Sequence, residues 1–160
     1  MKTNTLKINI PEGFKIKDFD KNTGEVFIEP IPADIRERVK SIFEAIDILG
    51  ESDQEVKFFR ELQKIGFDDK NHIVNYQAAV VICKALNEGW VPNWEDEGEL
   101  KYYAWFRMGS PSGSAFSFYD YDDWTTHSYA GSRLCFKSGE LAEYAGKQFT
   151  EIYRHFLTLN

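Results

Sequence analysis

Thirteen of the chain's aromatic residues, including all four tryptophans, fall between Trp90 and Phe136, interleaved with Gly, Ser and Asp. Large rings set among turn-forming residues favour short pleated strands. KYYAWFRM, SAFSFYDY and SRLCFK read as strands, with Gly109 to Gly113 and Thr125 to Gly131 supplying the turns. The short loops make an antiparallel meander of about three strands over residues 90–137.

Tyr and Trp join an apolar body to a polar tip, so they serve sheet cores and recognition surfaces alike. On a strand, Tyr102 and Phe106 share one face while Tyr103 and Trp105 share the other. Phe116 and Phe118 point one way, and Tyr119 and Tyr121 oppose them only if no bulge intervenes. One row is expected to pack on helices. The second, rich in Tyr and Trp and edged by Asp, forms an outer platform suited to a protein partner or a sugar. The bland alternative is a sheet covered on both sides, which consumes every ring. Candidate partner-binding residues are Trp94, Tyr103, Trp105, Tyr119, Tyr121 and Trp124.

The remainder of the chain supplies a hairpin and helices. In residues 1–30, TLKINI and EVFIEP alternate polar and apolar on either side of Lys21-Asn22-Thr23-Gly24, with FKIKDF as a second candidate for the pairing strand. Residues 33–89 read as three helices. Ile35, Val39, Ile42, Ile46 and Leu49 set the first, which Gly50 stops. Val56, Phe59 and Leu62 line the second, which starts near Ser52 or Asp53 and ends at Gly66. The third runs from about Asn71 to Gly89 and is apolar nearly all round, which predicts the most buried helix. Pro92 turns the chain away from it, so Trp90 and Trp94 can latch that corner. Ser138 caps a last helix over 138–158, with Leu141, Ala145, Phe149, Ile152 and Phe156 on one face. The pattern predicts a single α+β domain over residues 1–160, its helices covering one face of an antiparallel sheet.

Charge narrows the partners. The net charge is −7, and the aromatic segment carries seven acids against Lys101, Arg107 and Arg133. That sign argues against nucleic acid, because a strand-stacking platform pairs aromatics with positive charge. Cys83 and Cys135 are far apart and flanked by apolar residues, so they read as buried free thiols. No stretch approaches the apolar length of a membrane span, and MKTNTLKINIPEG has no apolar signal core, which leads to an expectation of cytoplasmic residence.

Catalytic chemistry finds no support in the motifs. His72, His127 and His155 lack a second ligand at metal-site spacing, so neither a metal nor a cofactor is expected. Asp120-Tyr121-Asp122-Asp123 lacks the closing Glu of a calcium loop and reads as a solvated acidic turn. Gly109-Ser110-Pro111-Ser112-Gly113 lacks the GK[ST] ending of a phosphate cradle and is neither a nucleophile elbow nor its equivalent.

Three blocks carry a resemblance: INIPEGFKIKDFDKNTGEVFIEP, NEGWVPNWEDEGELKYYAWF and SRLCFKSGELAEYAGKQFTEIYRHFL. The chain resembles small uncharacterised proteins of Bacteroides-group bacteria and their phages. The resemblance implies a phage or mobile-element origin and transfers no catalytic residue. In those relatives a Trp-containing helix start often follows the hairpin, whereas IPADIRERVKSIFEAIDILG has none. The function expected is a non-catalytic accessory protein that binds a protein partner. A carbohydrate-binding module using exposed Trp and Tyr is the alternative, and an acidic DNA mimic that inhibits a nucleic-acid enzyme is a lesser one.

Overall fold

The computed structural model describes residues 7–30, 33–109, 115–128 and 130–158. These residues form six helices and two antiparallel two-stranded sheets, the α+β class that the pattern predicts. The chain groups into two compact units, Met1–Asp34 and Ile35–Asn160.

In the first unit, β1 (Phe14–Phe19) pairs with β2 (Val26–Pro30), matching Ile16 to Ile28 and Phe19 to Val26 around a bulge at Lys17. FKIKDF is therefore the partner of EVFIEP. Of TLKINI, residues Lys7–Ile10 are not in a strand, and the rest lies outside the described residues. The short connection explains the choice, since closing a short loop costs less entropy than closing one twice as long. Asp20 also caps that turn by accepting from Asn22 N at 2.7 Å.

The second unit begins with α1 (Ile35–Arg38) and α2 (Ile42–Leu49), where the spacing predicts one helix. Ser41 breaks it. Its backbone is extended and its hydroxyl accepts from Glu44 N, while the Glu44 carboxylate accepts from Lys40 N at 2.6 Å. This reciprocal pairing starts a new helix, as a capping box does. Ile35, Val39 and Ile46 are buried all the same. Helix α3 (Gln54–Lys64) is capped by Asp53 and buries Val56, Phe59 and Leu62. Helix α4 (His72–Leu86), capped by Asn71, is the central element, with ten buried residues including Val81, Ile82 and Leu86. Its buried polar groups are satisfied: Asn75 donates to the carbonyls of Asp69 and Asn71, Gln77 to the Glu55 carbonyl and carboxylate, and Asn87, just past its end, to the Cys135 carbonyl at 2.8 Å.

Strands β3 (Lys101–Arg107) and β4 (Ser117–Trp124) pair antiparallel. SRLCFK contributes one bridge rather than a third strand: Tyr102 and Phe136 exchange N–H···O bonds of 3.0 and 2.8 Å. The neighbouring backbone is committed elsewhere. The Cys135 carbonyl accepts from Cys83 and Asn87, Lys137 N donates to Asn87, and Ser138 already caps α5 (Gly139–Gln148). A single C-terminal helix is also replaced by two, α5 and α6 (Thr150–Leu157). The Thr150 hydroxyl donates to the carbonyls of Gly146 and Lys147 at the break, and α6 then brings Tyr153 against Phe106 at 4.7 Å. Cys83 and Cys135 are free and buried, and burial pushes the Cys135 thiol up to about 11, so neither is poised to react.

Helix α5 seats on the sheet through two glycines. A Cβ at Gly146 would clash with the edge of the Phe118 ring and lie 3.2 Å from the Ala104 methyl; one at Gly139 would meet the Tyr121 ring at 2.6 Å. Phe118 is hemmed in by Phe106 and the Lys147 ammonium, whereas Tyr121 is partly exposed and can swing outward. Gly146→Ala should therefore lower stability by about 1–3 kcal/mol through overpacking, and Gly139→Ala by less. Thermal denaturation of the two variants beside the parent chain checks the order.

Candidate functional site

The two faces of the β3–β4 hairpin follow from the pairing. Trp105 opposes Asp120 and Phe106 opposes Phe118, so Tyr119 is the extra residue of a bulge. The bulge shifts the parity of β4. Beyond it, Tyr121 pairs with Ala104 and joins Phe118, Tyr102 and Phe106 on the face that packs against α5 and α6. The opposite face carries Trp105 and Arg107 from β3 and Asp120, Asp122 and Trp124 from β4. Tyr119 sits beneath the Arg107 guanidinium, 4.7 Å from ring centre to cation.

The six candidate residues thus divide. Trp105, Tyr119 and Trp124 are 43%, 54% and 49% exposed on or beside the outer face. Tyr121 keeps partial exposure but lies on the helix side, stacked edge-on to Tyr102 at 5.8 Å. Tyr103 belongs to the outer row by parity yet is only 4% exposed, so it is no part of an exposed platform. Tyr103 lines a cleft with Tyr76 of α4, Tyr153 and Phe156 of α6, and Ala130 and Leu134. Trp94 is half-buried in the loop before β3, its ring already occupied by the Lys101 ammonium 5.5 Å away.

Lys101 is the residue that sequence reasoning missed. Its side chain has 0% exposure, and its ammonium donates to the carbonyls of Asn93 (2.5 Å), Glu99 (2.7 Å) and Asp96 (3.4 Å) and pairs with the Glu99 carboxylate at 3.1 Å. Glu99 in turn accepts from Asn93 N at 2.7 Å and Trp90 Nε1 at 3.4 Å. Residues 90–101 are therefore wound about one buried cation, with a Trp face completing the shell. The sequence signal was slight: a lone lysine opening an aromatic strand, just after a loop of four acids.

The acidic run is on a strand, not in a solvated turn. Tyr102 turns its backbone groups toward Phe136, so alternation directs those of Tyr103 and Trp105 toward β4. On β4, the N–H groups of Tyr121 and Asp123 then point to the outer edge. Each is taken up at 2.9 Å by the aspartate before it, Asp120 and Asp122 respectively. The run is an edge cap, which blunts pairing with another strand. Beside it, Tyr103, Asp123, Trp124, His127 and Ser128 line a cleft of about 240 Å³, with Trp124 and His127 edge-to-face at 6.3 Å.

Among the described residues, no cluster of three or more His, Cys, Asp or Glu could hold a metal ion, and no helix is long and apolar enough to cross a membrane. The chain matches no family model, no curated protein and no solved structure.

Two predictions follow from the Lys101 shell. Lys101→Met leaves the Glu99 carboxylate and three carbonyls without their cation, and breaking a buried pair this way costs about 3–5 kcal/mol; urea denaturation measures the loss. Glu99 is held below the ordinary carboxylate value of 4.5, first by Asn93 N–H, against a desolvation penalty, and then by Lys101. Its contribution is therefore complete above that value and lost as pH falls through the lower, folded one. An acid titration of stability should show this loss in the parent chain, and Glu99→Gln should flatten it.

Proposed function

We propose that this protein is a non-catalytic accessory protein of phage or mobile-element origin that binds a protein partner through the outer face of the β3–β4 hairpin. The observation that carries the binding reading is the one-sidedness of that hairpin. One face is closed by glycine-notched packing against α5, while Trp105, Tyr119 and Trp124 remain about half exposed on the other. Trp and Tyr are the side chains most often found as anchors in protein interfaces. The origin rests on the resemblance of the three sequence blocks.

A carbohydrate ligand is the second reading, favoured by the cleft beside Trp124, where an aromatic wall meets the Ser128 and His127 side chains. Tryptophan fluorescence titrated with an oligosaccharide panel separates the two. A flat response across the panel removes the sugar.

The binding reading is tested with Trp105→Ala and Trp124→Ala in the full chain. Both should retain the parent circular dichroism spectrum and cooperative unfolding. Each should reduce recovery of the partner in a pull-down, since truncating an anchor costs about 2 kcal/mol or more of binding energy. Unfolding of both variants, or unchanged recovery by both, sinks the reading.

A further inference from the structure

We infer that the partner segment seated on this face is basic, a lysine- and arginine-bearing stretch of polypeptide held by aromatic rings and carboxylates together. The inference rests on the binding reading above and adds the chemistry of the partner.

Strand alternation sets Lys101 on the same side as Tyr103 and Trp105, directly across from Trp124. The loop of residues 93–99 encloses that ammonium, so its three exposed acids, Glu95, Asp96 and Glu97, belong to the end of the hairpin where Lys101 pairs with Trp124. Asp122 and Asp120 continue along the same face, opposite Tyr103 and Trp105. Acids and indoles thus alternate from the loop to the middle of the hairpin. Among the described residues of the two strands, the only exposed cation is Arg107, at the far end and already over Tyr119.

This combination selects one chemistry. A guanidinium or ammonium gains from a ring face and from a carboxylate at once, and guanidinium can meet a carboxylate with two hydrogen bonds. Phosphate-bearing ligands are repelled, and an acidic peptide is excluded by the same field. The mode of docking is also restricted. The outward N–H groups of Tyr121 and Asp123 are capped by Asp120 and Asp122, so a partner strand cannot extend the sheet at β4 without breaking both caps. Recognition therefore runs through side chains across the face.

The test uses the full chain and two synthetic peptides, one alternating Arg and Lys with Ser and one with Glu in every basic position. The basic peptide should change the tryptophan emission saturably and lose affinity as salt is raised, as exposed charge pairs do. The Glu peptide should produce no saturable change. Glu95→Gln combined with Glu97→Gln removes two exposed charges far from any packing and should weaken the basic peptide about tenfold. Trp124→Ala should weaken it as well, with unfolding curves checked for every variant. Equal response to both peptides, no saturable response to the basic one, or full affinity in the double Gln variant overturns the inference. The two levels fail separately. A pull-down partner that depends on Trp105 but docks through a neutral or acidic segment leaves the binding reading standing and removes this one.

Discussion

The enclosure of the Lys101 ammonium sets the conditions for everything at the N-terminal end of β3. A fully buried cation is tolerable only when its donors are satisfied and its charge is matched, and here carbonyls of Asn93 and Glu99, the Glu99 carboxylate and the Trp94 ring do both. The loop has no regular secondary structure of its own to satisfy its backbone. The ammonium takes that part, gathering carbonyls much as a bound metal ion would. In doing so it holds three exposed carboxylates at the end of the hairpin where Lys101 pairs with Trp124.

Sidedness comes from a different pair of constraints. Gly139 and Gly146 let the rings of Tyr121 and Phe118 approach the α5 backbone more closely than any side chain would permit. The Tyr119 bulge supplies the half-step that puts those two rings on one face although three positions separate them. Trp105 and Trp124 stay about half exposed, whereas Tyr103 is enclosed in a cleft that Tyr76 of α4 and Tyr153 and Phe156 of α6 line with Ala130 and Leu134. The hairpin is left with Trp105, Tyr119 and Trp124 about half exposed to solvent.

The aspartates of β4 serve two ends. Asp120 and Asp122 cap outward N–H groups, which protects an eight-residue edge from pairing with another chain. Their negative charge remains on the aromatic face even so. An edge made unavailable to backbone pairing, beside exposed indoles, favours recognition by side-chain chemistry.

Local pattern carried much of this architecture. The caps at Asp53, Asn71 and Ser138, the burial of α4, the two inert thiols and the strand KYYAWFR all follow from residue type and spacing, because each depends on neighbours within a few positions. The break at Ser41 was legible too, in the S-x-x-E pattern of Ser41 to Glu44, but the longer apolar period masked it. What the tertiary structure alone decided was the fate of each ring and each charge. Whether Tyr121 faces in or out turns on a one-residue bulge, Tyr103 is enclosed by residues of α4, α6 and the segment before Phe136, and Lys101 finds its acceptors only once the loop closes on it. Periodicity reports that a strand has two faces; only packing against other elements determines which of them meets solvent.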